Sequence, residues 1–145
     1  MKSVSQERAK FAYDIIKQVI DGGKISFTMK DFSSFIAGIP AMILQNGLGH
    51  TLCFLLAKAC DQKSNRYKQE DKHWVAFDAI VRWLKERKLL SNGVTSVPAS
   101  VIDEIVNKKS LEMMVLQEEA LRFLEWFKVM SKIFVEERNV GQEGQ

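Results

Sequence analysis

The stretch "GIPAMILQNGLGHTLCFLLAK", Gly38 to Lys58, is mostly apolar and carries no charge before its last residue, yet a proline interrupts it and two glycines follow an asparagine near its centre. Three structures compete for it: a membrane segment, a phosphate loop, or two helices folded onto one another. A membrane helix needs roughly 20 consecutive, mostly apolar residues. The longest uncharged run, Phe32 to Ala57, is broken by Ser, Gly, Pro, Gln, Asn, His and Thr. A phosphate loop needs glycines in a fixed spacing after a strand, and "NGLG" follows no predicted strand. The hairpin fits best. Phe32, Phe35, Ile36, Ile39, Ile43 and Leu44 keep one helical stripe running through Pro40, a continuity of phase that marks a kinked helix and not a break. Asn46-Gly47 then tolerates the left-handed backbone that ends a helix. Leu48, Leu52, Leu55, Leu56 and Ala59 start a new stripe at once.

Working outward, helical spacing recurs on both sides. In "SQERAKFAYDIIKQVIDGG" the residues Phe11, Ala12, Ile15, Ile16, Val19 and Ile20 follow the three-four pattern, and Gly22-Gly23 supplies the stop. Thr28 and Asp31 stand at the spacing of a capping box opening the second helix. After the hairpin, "DQKSNRYKQEDK", Asp61 to Lys72, is polar and aperiodic and reads as the longest loop. A fourth helix turns Trp74, Phe77, Val81 and Leu84 inward and ends near Ser91-Asn92-Gly93. Pro98 suits the first turn of a short fifth helix carrying Val101, Ile102, Ile105 and Val106. The last helix, from about Ser110 to Arg138, has a seam of Met113, Leu116, Ala120, Phe123, Phe127, Met130 and Phe134, widened by Leu121, Leu124 and Trp126. A seam that wide belongs in a bundle. The expected fold is all-α: a single compact bundle of about six helices with a long C-terminal helix, spanning residues 1–138, followed by a disordered tail at 139–145.

Composition agrees with one domain. The chain has 145 residues, 46% hydrophobic and 10% aromatic, enough for a core of its own. Charges stand where a signal peptide needs an apolar run in "MKSVSQERAKFAYD", so a cytoplasmic location is expected. The net charge of +3 is unevenly placed: residues 1–72 hold 11 basic and 7 acidic side chains, residues 73–145 hold 10 and 11. The first half is therefore the candidate polyanion face.

Catalytic chemistry is hard to assemble from this inventory. His50, Cys53 and Cys60 lack a fourth metal ligand and a Cys-x-x-Cys pair. Two cysteines inside an apolar pattern read as reduced core thiols, and neither a metal nor a cofactor is expected. Glu118, Glu119, Glu125, Glu136 and Glu137 fall on the polar side of the long helix as solvated charges. "NGLG" retains a milder possibility, with free N–H groups of the third helix open to a phosphate. The competing reading is a tight turn, with Gly47 at positive φ and Gly49 admitting close helix contact.

"RAKFAYDIIKQV" (Arg8 to Val19), "IPAMILQNGLGHTLCFLLAK" (Ile39 to Lys58) and the late "EEALRFLEWFKVMSKIF" (Glu118 to Phe134), taken in order, carry a resemblance. The chain resembles the small helical subunit of the type III-B CRISPR RNA-silencing complex, the Cmr complex. His50 and Cys53 depart from the small or polar residues expected at their positions, which argues against a functional role for either. The resemblance implies a non-catalytic protein of antiviral defence that stacks in several copies as a minor filament along the target RNA. Its implied partners are the guide-bearing backbone subunit, the large subunit, further copies of itself and the guide RNA/target RNA duplex. A guide-programmed complex accepts any target, so such a subunit should grip phosphates while base pairing specifies sequence. The RNA-facing candidates are Arg8, Lys10, Lys17, Gln45, Asn46 and Lys58, with Lys128 and Lys132 next. Two rival functions differ in what they require. A DNA-binding regulator needs polar base-reading side chains at the start of a recognition helix, where the third helix is apolar. A protein-only scaffold needs only amphipathic helices and an exposed apolar patch.

Overall fold

The computed structural model describes residues 2–91 and 98–143, with the backbone alone for 136–143. Six helices are described: α1 (Val4–Gly22), α2 (Met29–Asn46), α3 (Leu48–Ala59), α4 (Lys72–Glu86), α5 (Pro98–Val106) and α6 (Ser110–Glu143). The boundary read at residue 138 falls inside α6, and residues 144 and 145 lie outside the described residues.

Helix ends follow local chemistry. The Ser3 side chain accepts from the Gln6 N–H while the Gln6 side chain accepts from the Ser3 N–H, so a capping box starts α1, and Gly23 at φ +66° ends it. Thr28 caps α2 by accepting from the Asp31 N–H, and α2 continues through Pro40 to Asn46 as its stripe predicts. The hairpin turns on Gly47 alone, at φ +87° and ψ 159°, a region open in practice only to glycine.

The core is one cluster. Phe32, Ile36, Ile39 and Ile43 of α2, Leu48, Leu52 and Leu55 of α3, Ile80 and Leu84 of α4, and Phe123 and Phe127 of α6 are all fully buried. The central layer is α2 on α6, with α1 flanking α6 and α4 lying against α3. Aromatic rings join the layers: Phe32 meets Phe127 edge-on at 5.8 Å, and Phe123 stacks between Trp83 at 5.7 Å and Phe127 at 5.3 Å.

Several expectations change. The segment read as a loop from Asp61 to Lys72 contains a two-residue antiparallel ladder, β1 (Cys60–Asp61) with β2 (Arg66–Tyr67), closed by Asn65 at φ +58°. The Asp61 carboxylate accepts from the Lys63 N–H and the Ser64 hydroxyl, which organises the turn and holds its carboxyl below the usual aspartate range. Helix α4 stops at Glu86, earlier than Ser91-Asn92-Gly93; Lys88 then takes φ +60°, and Asn92 and Gly93 lie outside the described residues. Ser91 donates from its N–H and hydroxyl to the Glu104 carboxylate, tying the end of this segment to α5. Leu44, counted in the stripe of the second helix, and Val106, one of the apolar residues carried by the fifth, are exposed. Cys53 is exposed and Cys60 half-buried beyond the helix end, so neither is a core thiol: Leu52, Leu55 and Leu56 take the inner face of α3 and leave residue 53 outside. Among the described residues no helix is long and apolar enough to cross a membrane.

Candidate nucleic-acid interface

The basic residues singled out in the sequence sit on three helices: Arg8, Lys10 and Lys17 on α1, Lys58 on α3, and Lys128 and Lys132 on α6. Arg8 is taken up by the fold. Its Nε donates to Glu119 Oε1 at 2.7 Å and its Nη2 to Glu119 Oε2 at 2.9 Å, with both side chains only 11–12% exposed. Trp83 Nε1 donates to the same carboxylate at 2.9 Å. Burial pushes the Glu119 carboxyl up, but the hydrogen bonds from Arg8 and Trp83 and the charges of Arg8 and Arg87 outweigh it and leave it below the usual glutamate range. The same pairing raises Arg8. This side chain clamps α1 to α6 and α4.

Lys10 and Lys17 lie exposed on α1, each near an acid one turn on: Lys10 Nζ is 2.9 Å from Asp14 and Lys17 Nζ 3.9 Å from Asp21. Gln45 and Asn46 are exposed at the hairpin turn. Beside them, the Leu48 N–H at the start of α3 donates to Gln117 Oε1 at 3.1 Å, and the Thr51 hydroxyl donates to Gly47 O at 2.8 Å. The turn is thus held from within the bundle, as the tight-turn reading requires. Gly49 proves dispensable sterically, because an added Cβ would make an ordinary 3.6 Å contact with Ile105 Cγ2. On α6, Lys128 stands 3.4 Å from Glu125, and Lys132 is exposed.

Lys58 belongs to a grouping that the sequence did not disclose. Its Nζ lies 5.8 Å from the Phe54 ring centre on α3. The Phe54 ring stands edge-on to His73 of α4 at 6.2 Å, and His73 meets Phe35 of α2 edge-on at 4.8 Å. Lys72 Nζ closes the far side, 5.2 Å from the Phe35 ring centre. Asp71, the N-cap of α4, accepts from the His73 N–H at 2.7 Å and lies 2.6 Å from Nδ1. A carboxylate only accepts, so the proton of this ring contact sits on Nδ1. Three helices therefore assemble ammonium, ring, imidazole, ring and ammonium in series. The hairpin adjoins it: the Lys68 N–H donates to Ala59 O at 2.8 Å, next to Lys58, and Lys63, Arg66 and Lys68 are exposed. Residues 58–72 hold Lys58, Lys63, Arg66, Lys68 and Lys72 against Asp61, Glu70 and Asp71. Cations set among aromatic edges are suited to a nucleic-acid strand, with phosphates on the ammonium groups and bases near the rings. Phe35, Phe54 and His73 are too far apart in sequence to signal this; only the run of lysines after residue 58 is visible there.

Among the described residues no cluster of three His, Cys, Asp or Glu side chains stands together as a metal site. A compact all-α bundle with a cationic, aromatic end is the class of protein the fold and this surface define. The sequence model of the family described as CRISPR-associated protein (Cas_Cmr5) matches residues 4–134, and the chain belongs to that family. The CRISPR system Cmr subunit Cmr5 of Thermotoga maritima is 30% identical over 90 residues, covering 62% of this chain and 66% of the relative, just under two thirds of its length.

Proposed function

We propose that this chain is a non-catalytic small subunit of a cytoplasmic Cmr-type effector, holding the backbone of the guide RNA/target RNA duplex. Its partners in this reading are the guide-bearing backbone subunit, the large subunit and further copies of itself in a minor filament. Family membership supports the assembly. The observation that supports the RNA contact is the series Lys58, Phe54, His73, Phe35 and Lys72. Lys58 and Lys72 are its centre. Lys10, Lys17 and Lys128 join as outlying phosphate contacts, because exposed ion pairs such as theirs are worth about 0–1 kcal/mol and exchange readily for a phosphate, and Lys132 joins them as an exposed cation. Gln45 and Asn46 remain polar candidates at the turn. Arg8 is left out, since Glu119 already neutralises it.

The test replaces Lys58 and Lys72 by Ala in the assembled complex and follows target affinity across a salt series. Losing two phosphate contacts per copy should make the log–log slope shallower by about 1.4 to 1.8 for each copy that touches the strand, similarly for unrelated targets, with guide selectivity unchanged. Equal affinity and slope in a complex retaining its full subunit complement would sink the RNA reading. A protein scaffold without RNA contact would then stand, favoured by the exposed Leu44, Val106, Leu111 and Met114.

A further inference from the structure

The outer face of α6 carries a stripe that nothing among the described residues covers. Leu111, Val115, Val129 and Ile133 are 46 to 75% exposed, and between them lie Glu118, Arg122 and Glu125, also exposed. At 3.6 residues per turn these seven positions stay within about 45° of one line, over a length of about 33 Å. Apolar ends with a charged middle form a pattern, and its order is self-complementary. A second copy laid antiparallel, Arg122 opposite Arg122, sets Leu111 against Ile133 and Val115 against Val129. Each Arg122 then falls between Glu118 and Glu125 of the other copy, displaced along the axis by about 6 and about 4.5 Å. Parallel pairing would instead face Glu118 with Glu118 and Arg122 with Arg122. Within one chain Arg122 reaches Glu118 and Lys128 reaches Glu125. Such exposed pairs hold their groups weakly and leave them available across an interface.

We propose that the free chain forms a two-fold dimer through the outer face of α6, the helices antiparallel and centred on Arg122. The interface is isologous: the same patch serves both copies, and the charges at its centre set the register. This goes beyond the RNA-contact reading, which concerns the assembled complex and centres on Lys58 and Lys72.

Sedimentation velocity on the full chain without RNA tests it directly, so a failure here leaves the RNA reading untouched. The wild type should show a reversible, concentration-dependent dimer. Arg122→Glu sets three acids against three, and Glu118→Arg with Glu125→Arg sets three arginines against three; each variant alone should weaken the dimer about tenfold or more. An equimolar mixture of the two should dimerise again, because every cross-contact is then between opposite charges. Val129→Lys should also dissociate the dimer, whereas Leu44→Lys, also exposed but off the stripe, should not. All the altered side chains are exposed, and unchanged circular dichroism checks that each variant folds. A monomeric wild type, charge variants that still dimerise, or a mixture that stays monomeric would each overturn the proposal.

Discussion

Replacing Glu119 by Ala should destabilise this protein far more than removing any other carboxylate on α6. Glu119 accepts three hydrogen bonds, two from Arg8 and one from Trp83. Without it a guanidinium only 11% exposed loses its counter-charge, and the indole N–H of a buried tryptophan loses its acceptor. A hydrogen bond to a charged group contributes about 1.5–3 kcal/mol, and breaking a fully buried ion pair costs about 3–5 kcal/mol. Residual exposure places this pair between the two, near about 3 kcal/mol, which for a chain of this size lowers Tm by about 6–12 °C. The pH dependence carries the sign. The folded Glu119 carboxyl lies below its ordinary value of 4.5, so its contribution is present above that pH and is lost as pH falls through the folded value. Urea titrations of wild type and variant should differ by the full amount at neutral pH and converge in acid. Arg8→Met combined with Glu119→Leu should recover most of the loss, with the Trp83 N–H accounting for the remainder. A Glu119→Ala loss under about 0.5 kcal/mol, typical of an ordinary surface site, or a gap undiminished in acid, would refute the reasoning and return Arg8 to the RNA-facing set.

Leu52 is fully buried on α3, so Leu52→Ala should cost about 2–5 kcal/mol by chemical denaturation. The two hairpin glycines should behave oppositely in the same assay: Gly47→Ala, forced to φ +87°, should lose about 1–3 kcal/mol, while Gly49→Ala, with room for its Cβ, should be neutral or gain up to about 1 kcal/mol in helix propensity. Purified chain incubated with divalent metals should cleave neither RNA nor DNA, because among the described residues no three His, Cys, Asp or Glu side chains stand together to hold a metal, and the α6 carboxylates Glu118, Glu119 and Glu125 belong to no such cluster. Cleavage abolished by mutating one of them would contradict this.

The fold was legible because its core residues are spaced as their helices require. The stripe through Pro40, the left-handed glycines at 23 and 47 and the Thr28 cap are all local features, and local features are what a sequence displays. The misread positions share a different cause. Leu44, Cys53 and Val106 sit at the margins of apolar stripes, where only the neighbouring helix decides which side is covered. The strand pair at residues 60–67 is too short for any alternation to show.

For the interface the difficulty was one of charge and not of position. A sequence displays every lysine and arginine alike, but what a cation offers a phosphate depends on what already holds it. Arg8 and Lys58 both sit inside the most recognisable segments, yet Arg8 is paired at 2.7 Å with a nearly buried glutamate, whereas Lys58 leans on an aromatic face with its ammonium group turned to solvent. An aromatic face attracts a cation by only about 0.5–1 kcal/mol at an exposed site, and it leaves the charge unneutralised. The same distinction separates α6 from residues 58–72. On α6, Arg122 and Lys128 are each paired with an acid within a turn, so that helix is suited to register with another protein. Around residues 58–72 the cations outnumber the acids and are spread over a hairpin and two helices, an arrangement that a flexible polyanion satisfies better than a second folded surface.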